Sequence, residues 1–247
     1  MTPEQRKRYD RQIRLPSITE KGQQKLLDSK ALIIGMGGLG SPVTMYLAAA
    51  GIGTLVLCDY DIVESSNLQR QIIHTEQTIG QLKVDSAKAY INTISPQTHV
   101  TTINHELADE ELLAQVASAD VVVDCTDNFP SRFALNKACL ETKTPLVSGA
   151  AIRQEGQITT FDSRQESSPC YQCLYPDTGV ENAGCAMEGV VAPVVGIIGT
   201  MQAQETLNVL LERPALVGKL KILDAQYLEW QSMKLLKNPN CPACSTA

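Results

Sequence analysis

The sequence has no extended run of Lys and Arg, and its formal net charge is −6. A grip on a phosphate backbone needs gathered cations, so nucleic acid is disfavoured as the main partner. Residues 1–14 are charged and hold no apolar h-region, which excludes a secretion signal. The longest uncharged apolar stretch, residues 189–204, is interrupted by Pro193, Gly196 and Gly199 and meets Glu205. It is too short and too broken to span a bilayer and reads as a buried core helix. There is no internal repeat and no low-complexity tract. Histidine is scarce: His74, His99 and His105 stand apart, none in a triad-like setting, and read as surface or structural residues. What remains is a cytoplasmic globular chain, 43% hydrophobic and 19% charged, with no membrane partner.

Cysteine is present in eight copies. Cys58, Cys125 and Cys139 each sit singly inside apolar segments, where free cysteines are usually inert packing residues. Cys170 and Cys173 form one C-x-x-C, Cys241 and Cys244 a second, and Cys185 stands alone. Without a secretion signal, paired C-x-x-C motifs point to metal before disulfide. Two such pairs match a tetrahedral Cys₄ zinc site, each supplying one edge of the tetrahedron. Zinc there would tie the loop around residues 165–175 to the C-terminal tail, with no open coordination position. The competing reading is a pair of redox or coincidental motifs.

The pattern of apolar runs predicts an α/β fold. Residues 32–34, 54–58, 100–103, 121–124 and 145–148 read as strands. Between them, helical spacing begins near Gly38 and covers residues 79–94, 110–117 and 129–142. Alternation of this kind implies a Rossmann-like, doubly wound parallel sheet. After Gly149 the rhythm changes. Residues 157–161, 219–223 and 227–235 show the two-residue alternation of antiparallel strands, and residues 164–189 read as a long functional loop. The expectation is a single domain over 1–247. Its nucleotide-binding half covers about residues 1–150, and the half that binds a partner and carries the zinc site covers about 151–247.

Gly35-Met36-Gly37-Gly38-Leu39-Gly40 matches G-x-G-x-x-G between a strand and a helix. Glycines there permit a tight turn and let backbone N–H groups approach phosphate at a helix N-terminus. Asp59 ends the next strand, where an acidic residue takes a ribose hydroxyl. The motif serves NAD and ATP equally, and a packing turn without ligand is the bland alternative. It is not a Walker loop, because Ser41 follows Gly40 where Lys would be required, so any phosphate-binding cation comes from elsewhere.

Such cations are available. Ser66-Asn67-Leu68-Gln69-Arg70-Gln71 follows the second strand, Lys83 lies downstream, and Thr126-Asp127-Asn128 ends a later strand. In a doubly wound sheet the carboxyl ends of neighbouring strands share one crevice. Two cations and a carboxylate suit a triphosphate with Mg²⁺, whereas a nicotinamide needs no such clamp. Taken singly, Arg70 and Lys83 read as solvated helix charges.

Together these segments, with Arg8-Tyr9-Asp10-Arg11-Gln12-Ile13, resemble the ThiF/MoeB/HesA family, bacterial relatives of ubiquitin-activating enzymes. The resemblance runs from about Arg8 to Cys244. Residues 148–152 and 189–203 look like the molybdopterin-synthase activators, and residues 22–27 and 53–57 like the thiamin-pathway activators. No C-terminal rhodanese domain of the kind some eukaryotic relatives carry is expected. The resemblance implies ATP-dependent adenylylation of the C-terminal glycine carboxylate of a ubiquitin-fold sulfur carrier ending in Gly-Gly, with release of pyrophosphate.

By the same resemblance, Gly38 and its neighbours cradle ATP and Asp59 binds the ribose. Asn67 and Arg70, in the segment Ser66, Asn67, Leu68, Gln69 and Arg70, hold the phosphates together with Lys83, while Asp127, beside Asn128, holds Mg²⁺. Arg11 reaches the nucleotide of the other subunit in a homodimer. Cys185 corresponds to a loop cysteine that bonds covalently to the carrier or a sulfur donor in some relatives and is dispensable in others. A cysteine desulfurase or rhodanese would be that donor. The alternatives are a tRNA-modifying dehydratase of the same superfamily, an NAD-dependent oxidoreductase, and a non-catalytic scaffold for a ubiquitin-fold protein.

Overall fold

Ala31, Leu32 and Ile33 point alternately into two opposite cores. Ala31 and Ile33 pack with Leu55, Leu57, Val121 and Val123, and Leu32 packs with Val56 and Val122. Strands buried on both faces read as unbroken apolar runs, as parallel strands under two helical layers must. The computed structural model describes residues 1–177 and 188–245. Within them, β1 (Lys30–Ile34), β2 (Thr54–Cys58), β3 (His99–Ile103), β4 (Val121–Asp124) and β5 (Leu146–Ile152) pair in parallel. β6 (Glu155–Phe161), β7 (Lys219–Asp224) and β8 (Glu229–Lys234) continue the sheet antiparallel. The order is β3-β2-β1-β4-β5-β6-β7-β8. This is the mixed sheet that the sequence implied.

Helices cover both faces. α1 (Pro3–Arg8) and α2 (Asp10–Ile13) form the N-terminal arm, and α3 (Thr19–Asp28) precedes β1. α4 (Gly40–Ala50) and α5 (Lys83–Ile94) bring Val43, Leu47, Val84 and Ile91 to the first core. α6 (Asp109–Ala117) and α7 (Phe129–Thr142) bring Leu112, Val116 and Leu135 to the second. The one-turn α8 (Tyr171–Leu174) adds Tyr171 to that second core. The interrupted apolar stretch is α9 (Ala192–Leu210), with Pro193 in its first turn and Val195 and Ile198 in the first core. Each fully buried Leu, such as Leu47, contributes ~1.5–3 kcal/mol relative to exposure. No helix among the described residues is long and apolar enough to cross a membrane.

Three elements depart from the sequence reading. The helix expected from residue 79 begins at Lys83. A 3-10 turn over Glu76–Thr78 and Gly80 at φ 84° occupy the intervening chain. β5 runs on from residue 148 to Ile152, because it turns through Arg153 (φ 53°) and pairs back onto β6. β8 shows no alternation of burial. Every one of its residues is exposed, since it is an outer strand that no layer among the described residues covers. The loop expected over residues 164–189 contains α8, and Cys185 lies outside the described residues.

Candidate active site

The glycine loop leaves β1 under tight steric constraint. Gly35 has φ 95°, and a Cβ there would lie 2.7 Å from the Cys125 carbonyl oxygen. A Cβ on Gly40 would come within 1.9 Å of the Gly35 carbonyl oxygen, so the turn admits no side chain at either position. At the end of β2, Asp59 braces this loop. Its Oδ2 accepts the Met36 N–H at 2.7 Å, and its Oδ1 accepts the Asp61 N–H at 2.9 Å. Burial raises the Asp59 carboxyl above the ordinary carboxylate range, opposed by Lys83 and these two N–H donors.

Lys83 opens α5 with its side chain almost fully enclosed. Its Nζ lies 2.7 Å from Asp61 Oδ2, and its N–H donates to the Asp61 carbonyl at 2.9 Å. His74 sits behind the loop, with Nε2 3.0 Å from the Met36 carbonyl and Nδ1 2.9 Å from Ser86 Oγ. The Met36 carbonyl can only accept, so Nε2 carries the proton and Nδ1 accepts from Ser86. Burial lowers the His74 pKa, keeping the ring neutral.

At the end of β4, Asn128 caps α7, its Oδ1 accepting the Ser131 N–H at 2.9 Å. That cap fixes the turn bearing Asp127, which is exposed at the rim of the same crevice. The crevice encloses about 870 Å³ and is lined by Gly37, Gly38, Asp59, Arg70, Lys83 and Asp127 among others. Gln69 and Asn128 also line it. Carboxylates outnumber cations in the lining: Asp59, Asp61, Glu106, Asp109, Asp127, Glu155 and Glu188 stand against Arg70, Lys83 and the buried Arg132. A polyphosphate bound here would need positive charge beyond these side chains, which a Mg²⁺ ion held by Asp127 would supply.

The second constellation is the cysteine cluster. Cys170 Sγ lies 3.9 Å from Cys173 Sγ and 3.6 Å from Cys241 Sγ, and Cys173 Sγ lies 3.5 Å from Cys244 Sγ. The four sulfurs are within 4.8 Å of one another. These are not disulfides, whose S–S bond is about 2.05 Å. Four thiolates at about 2.3 Å from one tetrahedral ion stand about 3.8 Å apart, so the donor set fits a closed zinc site. The remaining described cysteines are inert. Burial pushes the Cys58 thiol up to about 12, reinforced by Asp59, and drives Cys125 and Cys139 well above the ordinary thiol value.

The ThiF family model matches residues 9–243. The chain belongs to the ThiF family. It is 47% identical over 239 residues to the molybdopterin-synthase adenylyltransferase of Escherichia coli (strain K12), covering 96% of this chain and 95% of that protein. To the sulfur carrier protein ThiS adenylyltransferase of the same organism it is 44% identical, covering 96% and 94%. The fold matches a crystal structure of E. coli MccB with MccA-N7isoASN at a TM-score of 0.83. That match has 22% identity and covers 96% of this chain and 74% of that one.

Several expected residues of this ThiF-family chain stand outside the crevice. Ser66, Asn67 and Leu68 are not among its lining residues. Asn67 is spent locally: its Oδ1 accepts the Glu64 N–H at 3.1 Å in the turn before Arg70. Arg70 Nη1 donates to the Ser66 carbonyl at 3.2 Å while its side chain lines the crevice. Arg11 is exposed on α2 and does not line the crevice of its own chain. The sequence alone assigns no role to Asp61, Arg132 or Tyr171, all of which brace the site, while His74, read as a surface or structural residue, is the buried brace behind the loop. The one available signal was the spacing of Arg132 four residues after the Asn128 cap, which places it one turn into α7.

Proposed function

We propose that the chain uses ATP to adenylylate the C-terminal glycine carboxylate of a ubiquitin-fold sulfur carrier, serving molybdenum-cofactor or thiamin biosynthesis. The observation that carries this reading is convergence. The glycine loop, Asp59, Lys83, Arg70 and Asp127 line one crevice, in a chain 47% identical to a molybdopterin-synthase adenylyltransferase. The carrier carboxylate oxygen attacks the α-phosphorus, a C–O–P linkage forms, and the bond to the β-phosphate oxygen breaks to release pyrophosphate.

The nucleophile is already an anion at neutral pH, so the site requires no strong base, and none of the three histidines serves as one. Asp59 positions the ribose, the loop N–H groups meet the phosphates, and Arg70 and Lys83 neutralise charge as two anions approach. Asn67 supports Arg70 through the shape of their shared turn. Mg²⁺ held by Asp127 supplies further charge neutralisation when bound. Zinc in the Cys₄ cluster is structural, and the two halves of the sheet, about residues 1–150 and 151–247, act as a single adenylation domain. The protein works as a homodimer and passes the activated carrier to a sulfur donor such as a cysteine desulfurase or rhodanese. Cys185 acts downstream of adenylylation: Cys185→Ser keeps pyrophosphate exchange and loses sulfur transfer. Loss of exchange in that variant would refute the assignment.

The test is ATP–pyrophosphate exchange with purified carriers of each pathway. Exchange that depends on a carrier ending in Gly-Gly supports the reading. No exchange with either carrier, or NADH formation with a hydroxy acid, would overturn it.

A further inference from the structure

Arg132 lies in the first turns of α7 with its side chain 10% exposed. Its Nη2 donates to the Thr126 carbonyl at 2.5 Å and to the Gly149 carbonyl at 3.3 Å, and its Nε is 4.0 Å from Asp124 Oδ2. Asp124, fully buried, grips the same residue from the other side: its Oδ1 accepts the Thr126 N–H at 3.0 Å and the Thr126 hydroxyl at 2.7 Å. Thr126 is therefore held through its N–H, its hydroxyl and its carbonyl, and it immediately precedes Asp127.

Tyr171 packs behind Arg132, its hydroxyl close to the guanidinium. It stands between Cys170 and Cys173 in the first C-x-x-C. Its N–H donates to Asn136 Oδ1 at 2.8 Å, and Asn136 lies one turn after Arg132 on α7. The ring meets Phe133 and Phe161 edge-on, with centroids 5.6 and 6.0 Å away. A contiguous path runs from the cysteine cluster through Tyr171 and Arg132 to Thr126 and Asp127. Both Arg132 and Tyr171 line the crevice.

The path is polar but incompletely paired. Arg132 Nε and Asn136 Nδ2 are buried without hydrogen-bond partners among the described residues, and the Tyr171 hydroxyl has only the Arg132 guanidinium beside it. A half-satisfied buried network stabilises less than an apolar filling of the same shape. Stability alone therefore does not explain this cluster, whereas fixing one turn does. We propose that Arg132 and Tyr171 are positioning residues that set Asp127 for its metal–nucleotide, and that they make this setting depend on the Cys₄ centre. The inference rests on the proposed role of Asp127 in adenylylation. Besides tying the tail down, the cluster would then anchor the segment that carries Tyr171.

The experiment compares Tyr171→Phe, Tyr171→Leu, Arg132→Lys and Arg132→Met with the wild type, all as intact metal-loaded protein. Three quantities are read: bound zinc by elemental analysis, melting temperature, and the Mg²⁺ dependence of ATP binding by calorimetry. Tyr171→Leu and Arg132→Met are expected to keep the wild-type zinc content yet weaken the Mg²⁺-dependent part of ATP binding by about ten- to a hundredfold, the range for removing a supporting outer partner. Arg132→Lys restores little, because an ammonium cannot span both carbonyls and Asp124. Tyr171→Phe, which keeps the ring, covers the case in which the larger changes fail to fold, and it shifts Mg²⁺ dependence in the same direction by less. Unchanged Mg²⁺ dependence in every folded variant would overturn the proposal, even if melting temperatures fell. A wild-type protein that binds Mg²⁺–ATP but exchanges with no carrier would count against the proposed function instead, and the Mg²⁺ comparison would still decide this inference.

Discussion

Asp61 holds Lys83 twice, through a carboxylate 2.7 Å from the ammonium and a carbonyl 2.9 Å from the Lys83 N–H. A third bond, from the Asp61 N–H to Asp59, joins Lys83, the proposed phosphate cation, to Asp59, the proposed ribose acid, through one residue. Lys83→Ala or Asp127→Ala should slow carrier-dependent pyrophosphate exchange by a factor on the order of a hundred, as expected for loss of one transition-state contact. Asp61→Asn keeps both backbone bonds and loses the ion pair. It should cost about tenfold, the worth of one charge-assisted hydrogen bond. Equal rates for Asp61→Asn and wild type would show that the backbone alone places Lys83.

The cysteine cluster predicts one zinc per chain. Cys241→Ser should drop the measured zinc content to near zero and lower the melting temperature, because binding free energy at such a site is folding free energy. Full zinc content in that variant, or four freely titratable thiols in the wild type, would exclude the site.

His74 gives the fold a pH dependence of defined sign. Its folded pKa lies below the unfolded value of about 6.5, chiefly through burial, with Lys83 adding to the effect and Met36 and Asp59 opposing it. The unfolded chain binds the proton first as pH falls. Stability from this residue is therefore full above about pH 6.5 and declines as pH drops toward the folded pKa. Urea titrations of wild type and His74→Gln at several pH values between about 5 and 8 should show a smaller acid-side loss in the variant. An identical slope would remove His74 from the account.

Arg11 is exposed and absent from its own crevice, while the mouth of that crevice is rich in carboxylates. A guanidinium donated by a second subunit would redress this charge. Arg11→Ala and Lys83→Ala proteins should each be nearly inactive. After subunit exchange, a mixed dimer should regain activity, because one site then combines an intact Lys83 with an intact Arg11. A mixture that stays inactive despite verified exchange would exclude action in trans.

The parts of the site written as local motifs were legible in the sequence. Gly35 to Gly40, Asp59, Asp127 and the two C-x-x-C pairs each sit at a strand end or a short repeat whose spacing has a steric cause. The start of α5 was not, because apolar spacing over residues 79–82 continues a helical pattern that Gly80 interrupts with positive φ. Nor was the exposure of β8, since a free edge is a property of the whole sheet. Arg132 was legible only as a cation one turn after Asn128 and Tyr171 only as a loop aromatic, because their contact exists only once the fold sets them side by side. Asn67 was legible as a neighbour of the site, but its side chain is committed to its own turn.

The two cysteine pairs lie on either side of α9, β7 and β8, so a metal held by the cluster would close that whole stretch into a ring. β8 is an edge strand open to exchange with a neighbouring molecule, with no strand on its outer side among the described residues and an exposed Trp230. Trading it between two molecules would require the tail to leave Cys170 and Cys173 first. With zinc bound the cluster would therefore also be a lock against strand swapping, and aggregation of this protein should track metal loss before it tracks heat.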